Sequence, residues 1–102
     1  MNAVKSSYDP FRPHGEVAGR LYDAFHVEAA KRKTKSVQQW IADEPKAMHA
    51  QCLVIAQERG LRLLSLEDVL RCERTAMGHV DYASKWSIRL ANEMQDGLRP
   101  SR

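Results

Sequence analysis

The 102-residue sequence predicts an all-α protein, a compact bundle or array of about five short helices. Three observations support this prediction. Apolar residues recur at three- and four-residue steps, helix start and stop signals bracket each periodic stretch, and strand signals are poor. Only residues 61–64 have an extended character, and one short segment does not form a sheet. We therefore expect one helical domain over residues 14–97, preceded by a flexible arm, 1–13, and followed by a mobile tail, 98–102.

The first two helices are predicted from an apolar stripe and a capping box. The first helix covers about residues 16–33, and its stripe consists of Val17, Leu21, Tyr22, Phe25 and Ala29. Ser36 and Gln39 then form an S-x-x-Q capping box, which predicts that the second helix begins after Ser36. Pro45 ends this helix, because proline disfavours helical geometry in the residue before it.

The remaining three helices are predicted from caps. Pro45 suits the first position of a third helix over residues 45–59, which Gly60 ends with a left-handed cap. Ser65 predicts the start of a fourth helix and Gly78 its end, and Asp81 is expected to cap the fifth. The buried positions expected in the third and fifth helices are Met48, Cys52, Ile55, Ala56, Tyr82, Trp86, Leu90 and Met94. In the fourth helix, the residues at helical spacing are Leu66, Val69, Leu70 and Met77.

Composition narrows the class of protein. The formal net charge is +3, and residues 1–35 account for all of it, with seven basic and four acidic side chains. Two cysteines without a C-x-x-C spacing do not suggest a disulfide framework. No apolar run has the length of a signal peptide core or of a bilayer-spanning helix. We therefore expect a cytoplasmic protein with free thiols, no membrane contact and no cofactor.

A helix-turn-helix over residues 46–77 is the most specific motif candidate. Its spacing of small and apolar residues is met by Ala56, Gly60, Leu61, Leu66 and Val69. The face that would read DNA argues against it, because a recognition helix needs polar or basic groups there. The recognition helix of this motif would instead present Leu63, Leu64, Glu67 and Asp68. DNA reading is therefore kept as the alternative function.

A cluster of basic side chains gives a second route to nucleic acid. The candidate phosphate contacts are Arg20, Lys31, Arg32, Lys33 and Lys35. Most of them fall in the basic run 31–35, which has no interleaved aromatic residues of the kind that single-strand binders use. The simpler interpretation is a solvated helix end whose cations complement the helix dipole.

Metal and catalytic signatures are weak. The set His49, Cys52, Cys72 and His79 contains zinc-ligand types, but its spacing matches no zinc module. Cysteine on an apolar helical stripe is commonly a small buried hydrophobe. There is no glycine-rich phosphate loop and no G-x-S-x-G elbow. The sequence therefore predicts no metal site and no enzyme, with an enzyme using Cys72 or the histidines as the weakest alternative.

The sequence therefore predicts a small non-enzymatic helical protein that binds another protein or a second copy of itself. Its expected role is that of an adaptor, inhibitor or regulatory subunit. Four aromatic residues are candidate partner anchors, since such residues dominate binding hot spots: Tyr8, Phe11, Trp40 and Trp86. For the two tryptophans, a position in the core is the simpler interpretation. The segment 78–94 is loosely similar to small bacterial and phage proteins, a resemblance over a sixth of the chain that assigns no functional residue.

Overall fold

Five α-helices and no strand make up residues 9–32 and 36–96, the part of the chain that the computed structural model describes. The helices are α1 (Glu16–Lys31), α2 (Val37–Asp43), α3 (Pro45–Glu58), α4 (Leu66–Ala76) and α5 (Tyr82–Asp96). The predicted all-α class is therefore confirmed. None of the five helices combines the length and the continuous apolar character that crossing a membrane requires.

The predicted starts of α2, α3 and α4 are confirmed at atomic detail. Ser36 Oγ accepts a hydrogen bond from the Gln39 amide at 3.1 Å, and Ser65 Oγ accepts one from the Asp68 amide at 3.1 Å. Pro45 is the first residue of α3, where its missing N–H costs nothing. Both caps could be predicted because each joins a side chain to an amide only three residues further along the chain.

Two glycines end helices in the left-handed region. Gly60 follows α3 with φ +65°, and the Leu61 amide donates to the Ala56 carbonyl at 2.8 Å. Gly78 follows α4 with φ +88°, and the His79 amide donates to the Ala76 carbonyl at 3.2 Å. A side chain at either glycine would strain the backbone, so both turns depend on glycine.

α1 and α5 are the central pair of helices. They pack most extensively on each other, α4 packs on α5, and α2 and α3 pack on α1. The rings of Phe25 and Trp86 stack between the central pair, 4.4 Å apart at 16°. The side chains of the stripes predicted in α1 and α3 are buried, and those of the stripe predicted in α5 are buried except Tyr82, which is half-buried.

Some expectations differ from the structure or lie outside it. α1 ends at Lys31, two residues before the predicted end at residue 33. Met77, expected to continue the fourth helical stripe, follows the last residue of α4 and is 49% exposed. Residues 1–8 of the predicted arm and the whole predicted tail, 98–102, lie outside the described residues.

Candidate functional site

A cleft of about 460 Å³ lies where the N-terminal arm, α1, the start of α2 and the start of α5 meet. We call it the aromatic cleft. Its lining residues are Phe11, Tyr22, His26, Ser36, Val37, Gln38, His79, Val80, Asp81, Tyr82, Ala83 and Ser84. Two apolar side chains in this lining are exposed, Phe11 at 47% and Val80 at 92%. The cleft therefore has an apolar rim that the fold itself does not cover.

Asp9 fixes the arm on α1 at one side of the cleft. Its Oδ2 accepts the Tyr22 hydroxyl at 2.6 Å, and its Oδ1 accepts the Phe11 amide at 2.9 Å. The bond from Tyr22, followed by the one from Phe11, lowers the pKa of Asp9 below its ordinary value. Burial, followed by the bond to Asp9, raises the pKa of Tyr22. Tyr22 therefore stays protonated and keeps donating to Asp9 at neutral pH.

Arg12 provides a second attachment for the arm. Its Nε and Nη2 donate to the Asp23 carboxylate at 3.0 and 2.8 Å. The guanidinium lies against Gly19, where a Cβ would be only 2.8 Å from Nη2, so the missing side chain makes room for it. Residues 9–13 were expected to belong to a flexible arm. In the structure, two carboxylate contacts join these residues to α1 and place Phe11 at the rim.

His26 contributes a hydrogen-bond acceptor to the cleft. Its Nδ1 lies 2.9 Å from the Tyr22 carbonyl, and its ring centroid lies 4.3 Å from that of Tyr22. Because a carbonyl oxygen only accepts, the contact assigns the proton to Nδ1. In the neutral ring, Nε2 then carries a lone pair and can accept a hydrogen bond from a ligand.

The opposite wall comes from the turn before α5. Val80 follows Gly78 in this turn, and Asp81 and Tyr82 come directly after it. The Tyr82 hydroxyl donates to Glu73 Oε2 at 2.7 Å, and burial, followed by this bond, raises the pKa of Tyr82. Asp81 Oδ2 lies 4.0 Å from Lys85 Nζ, at the outer limit of an ion pair. With histidine counted as neutral, Asp81 is the one formal charge among the described lining residues.

The two tryptophans predicted as partner anchors are core residues. Trp40 and Trp86 are both 0% exposed, so a partner cannot reach them in this fold. The Trp86 Nε1–H donates to the Val69 carbonyl at 3.3 Å, whereas Trp40 Nε1 has no hydrogen-bond partner among the described residues. Of the other two candidates, Phe11 lies at the rim of the aromatic cleft and Tyr8 lies outside the described residues.

The described candidate phosphate contacts are paired with carboxylates of the protein itself. Arg20 pairs with Glu58 at 3.5 Å, and Lys31 pairs with Glu28 at 3.2 Å. Arg32 contacts Glu28 and Glu44, each at 2.6 Å, and these two bonds raise its pKa above the ordinary value. A phosphate would have to compete with these intramolecular partners. Lys33 and Lys35 lie outside the described residues.

The helix pair over residues 46–77 departs from helix-turn-helix geometry. Seven residues, 59–65, separate α3 from α4, whereas the motif uses a turn of about three or four. Leu63 and Leu64 precede α4 instead of lying on its outer face, and Leu64 is buried at 3% exposure. Of the four residues of the predicted reading face, only Glu67 and Asp68 therefore lie on α4.

His49, Cys52 and Cys72, considered above as zinc ligands or as a nucleophile, have structural roles in the folded chain. His49 Nε2–H donates to the Leu64 carbonyl at 2.8 Å. Burial raises the pKa of Cys52 to about 12, and burial, followed by the charge of Glu93, raises the pKa of Cys72. Both thiols therefore stay protonated at neutral pH and are poor nucleophiles. No group of three or more histidine, cysteine, aspartate or glutamate residues with metal-binding geometry occurs within 9–32 and 36–96.

Sequence reasoning missed most of the aromatic cleft. It placed Tyr22 and Tyr82 on buried stripes, considered His79 only as a zinc ligand and Asp81 only as a helix cap, and gave His26 no individual role. One signal was available for Val80, which lies between the glycine that ends α4 and the predicted cap of α5, outside every helical stripe. An apolar residue confined to such a short turn has little opportunity to be buried.

Comparison with known proteins gives no relative from which a function could be carried over. The chain matches no family model, no curated protein and no solved structure. The fold therefore defines the class, an all-α protein, and any statement of function depends on the site itself.

Proposed function

We propose that this chain is a small, non-enzymatic helical protein that docks on another protein through the aromatic cleft. The observation that carries the proposal is the pair of exposed apolar side chains at the rim, Phe11 at 47% and Val80 at 92%. An exposed apolar patch bordered by polar groups is typical of protein–protein contact sites. The contacts of Asp9 and Arg12 with α1 support the proposal, because they position Phe11 before a partner binds.

Two further observations favour docking over the alternatives. Both thiols are protonated and buried, which disfavours a cysteine nucleophile. Arg32 is held by two carboxylates, Glu28 and Glu44, each at 2.6 Å, which disfavours it as a phosphate contact. A protein partner needs neither an activated nucleophile nor free cations.

Site-specific photocrosslinking in the protein's own cells tests the proposal. A photoreactive p-benzoylphenylalanine replaces Val80 at the rim or, as a matched control, Leu63, another loop residue that is 54% exposed and does not line the cleft. We expect a crosslinked protein adduct from position 80 that survives nuclease treatment and is absent from position 63. Mass spectrometry then identifies the partner, or a second copy of the chain.

Three results would count against docking at the cleft. One is an adduct from position 63 alone, because it would place the contact elsewhere. Another is an adduct from position 80 that nuclease removes, because it would support the nucleic-acid alternative. The third is an adduct from position 80 that persists unchanged when Phe11→Ser removes the other half of the apolar rim.

A further inference from the structure

The described lining of the aromatic cleft contains one carboxylate and no lysine or arginine, and its neutral polar groups, such as Gln38 and His79, can donate as well as accept hydrogen bonds. Asp81 supplies the carboxylate, and His26 leaves Nε2 as an acceptor because its Nδ1 is engaged by the Tyr22 carbonyl. The cleft therefore provides negative charge and lone pairs, and a cationic donor fits it better than an anion.

Carboxylates also lie behind the tyrosines of the cleft. The hydroxyl of Tyr22 donates to Asp9, and that of Tyr82 donates to Glu73. Each of these two lining phenols therefore has a further carboxylate within hydrogen-bond distance of its hydroxyl. Aromatic faces attract cations, and a nearby negative charge adds to that attraction.

Two described cations, Arg12 and Lys85, each follow a lining residue directly in the chain, and neither removes the negative charge of Asp81. Arg12 is held by two hydrogen bonds to Asp23, a carboxylate outside the lining. Lys85 is the ion-pair partner of Asp81, but its Nζ is 4.0 Å away and its side chain is 48% exposed. A pair this long and this exposed to solvent is weak, so Asp81 remains able to bind a second cation.

We infer that the aromatic cleft receives an arginine side chain of the docking partner, with the guanidinium against Asp81 and beside the rings of Phe11 and Tyr82. This inference rests on the proposed docking function and names the chemistry that the partner presents. A guanidinium suits the cleft because it carries five donors and no acceptor, and its plane stacks on aromatic rings. The exposed Val80 then contacts apolar residues beside that arginine in the partner.

An NMR titration of the isotope-labelled full chain tests the inference without a known partner. The probes are N-acetylarginine amide and N-acetylcitrulline amide, in which a neutral urea replaces the guanidinium at nearly the same shape. We expect the arginine probe to shift the amide resonances of His26, Val80, Asp81 and Tyr82 with a Kd about tenfold lower than that of the citrulline probe. Equal Kd values, or arginine-induced shifts confined to other parts of the chain, would overturn the inference.

A pair of charge-removing variants assigns the binding to the cleft. Asp81→Asn keeps a residue that caps helices well, so the fold is expected to persist. It should abolish the tenfold preference for arginine over citrulline. Glu67→Gln, a matched change on the exposed surface of α4, should leave the preference unchanged. Retention of the full preference in Asp81→Asn would contradict the inference, and this result requires a folded variant.

The two proposals fail in different experiments. If crosslinking at position 80 succeeds and arginine shows no preference over citrulline, docking stands and the arginine inference is wrong. If the arginine probe binds the cleft selectively and position 80 captures no protein, the cleft recognises a guanidinium but docking is not supported. The readouts are independent, because one measures a partner in cells and the other measures a small cation on the purified chain.

Discussion

The aromatic core and the rim of the aromatic cleft use similar side chains in opposite ways. Phe25 and Trp86 stack between α1 and α5 at 0% exposure, whereas Phe11 and Val80 are 47% and 92% exposed. Burial of the first pair contributes directly to the free energy of folding, and exposure of the second pair contributes little. The comparison teaches that stability and the proposed docking surface depend on different residues, so each can be changed while the other is kept.

Truncation in the core should produce the largest effect. Phe25→Ala removes a ring that is fully buried and stacked on Trp86, and we expect the free energy of unfolding to fall by about 3–5 kcal/mol. Urea denaturation followed by circular dichroism measures this loss. Phe25→Leu retains more of the volume and should cost less. If Phe25→Ala left the urea midpoint near that of the wild type, the stacked pair would not be the centre of the core.

The predictable part of the fold is the part set by local interactions. The caps at Ser36 and Ser65 and the left-handed glycine at Gly60 each depend on groups a few residues apart, so their patterns are visible in the sequence. The apolar stripes follow the helical period and identify the buried faces correctly.

The cleft could not be predicted in the same way, because it joins segments that are distant in the chain. Phe11 and Val80 line the same cleft although 69 positions separate them, and no local pattern reports that proximity. The bond between Tyr22 and Asp9 similarly spans 13 positions. The position of Trp40 and Trp86 could not be decided either, since a helical stripe predicts burial equally for a core residue and for an interface residue.

The two buried tryptophans of the core differ in the hydrogen bonding of their indole N–H groups. Trp86 Nε1–H is bonded to the Val69 carbonyl, whereas Trp40 Nε1 is buried without a partner among residues 9–32 and 36–96. Trp86→Phe removes a hydrogen bond, and Trp40→Phe removes a donor whose burial is itself costly. We expect Trp40→Phe to be less destabilising than Trp86→Phe by about 1–3 kcal/mol in urea denaturation. An equal or larger loss for Trp40→Phe would mean that a bound water satisfies its indole.

The Asp9 carboxylate joins the arm, and with it one side of the cleft, to α1. The pKa of Asp9 is lowered in the folded chain, so its carboxylate stabilises the fold above the ordinary pKa of 3.8, and this stabilisation is lost as pH falls further. Asp9→Asn should cost about 1 kcal/mol at pH 7 and progressively less below about pH 4. Urea midpoints measured at several pH values test this. A difference from the wild type that grows on acidification would have the wrong sign, and Glu67→Gln serves as the control at an exposed carboxylate.

The smallest effect on stability is expected at Val80, where the effect on docking should be largest. At 92% exposure the side chain buries almost no area, so Val80→Ser should change the free energy of unfolding by less than about 0.5 kcal/mol. The same change removes an apolar group from the rim without adding a charge and should abolish partner capture, measured by pull-down with the partner identified by crosslinking. Leu63→Ser, the matched loop change outside the cleft, should leave capture intact. If Val80→Ser instead lowered the urea midpoint substantially, the turn before α5 would belong to the folding core, and the separation between a stable core and an adaptable rim would no longer hold.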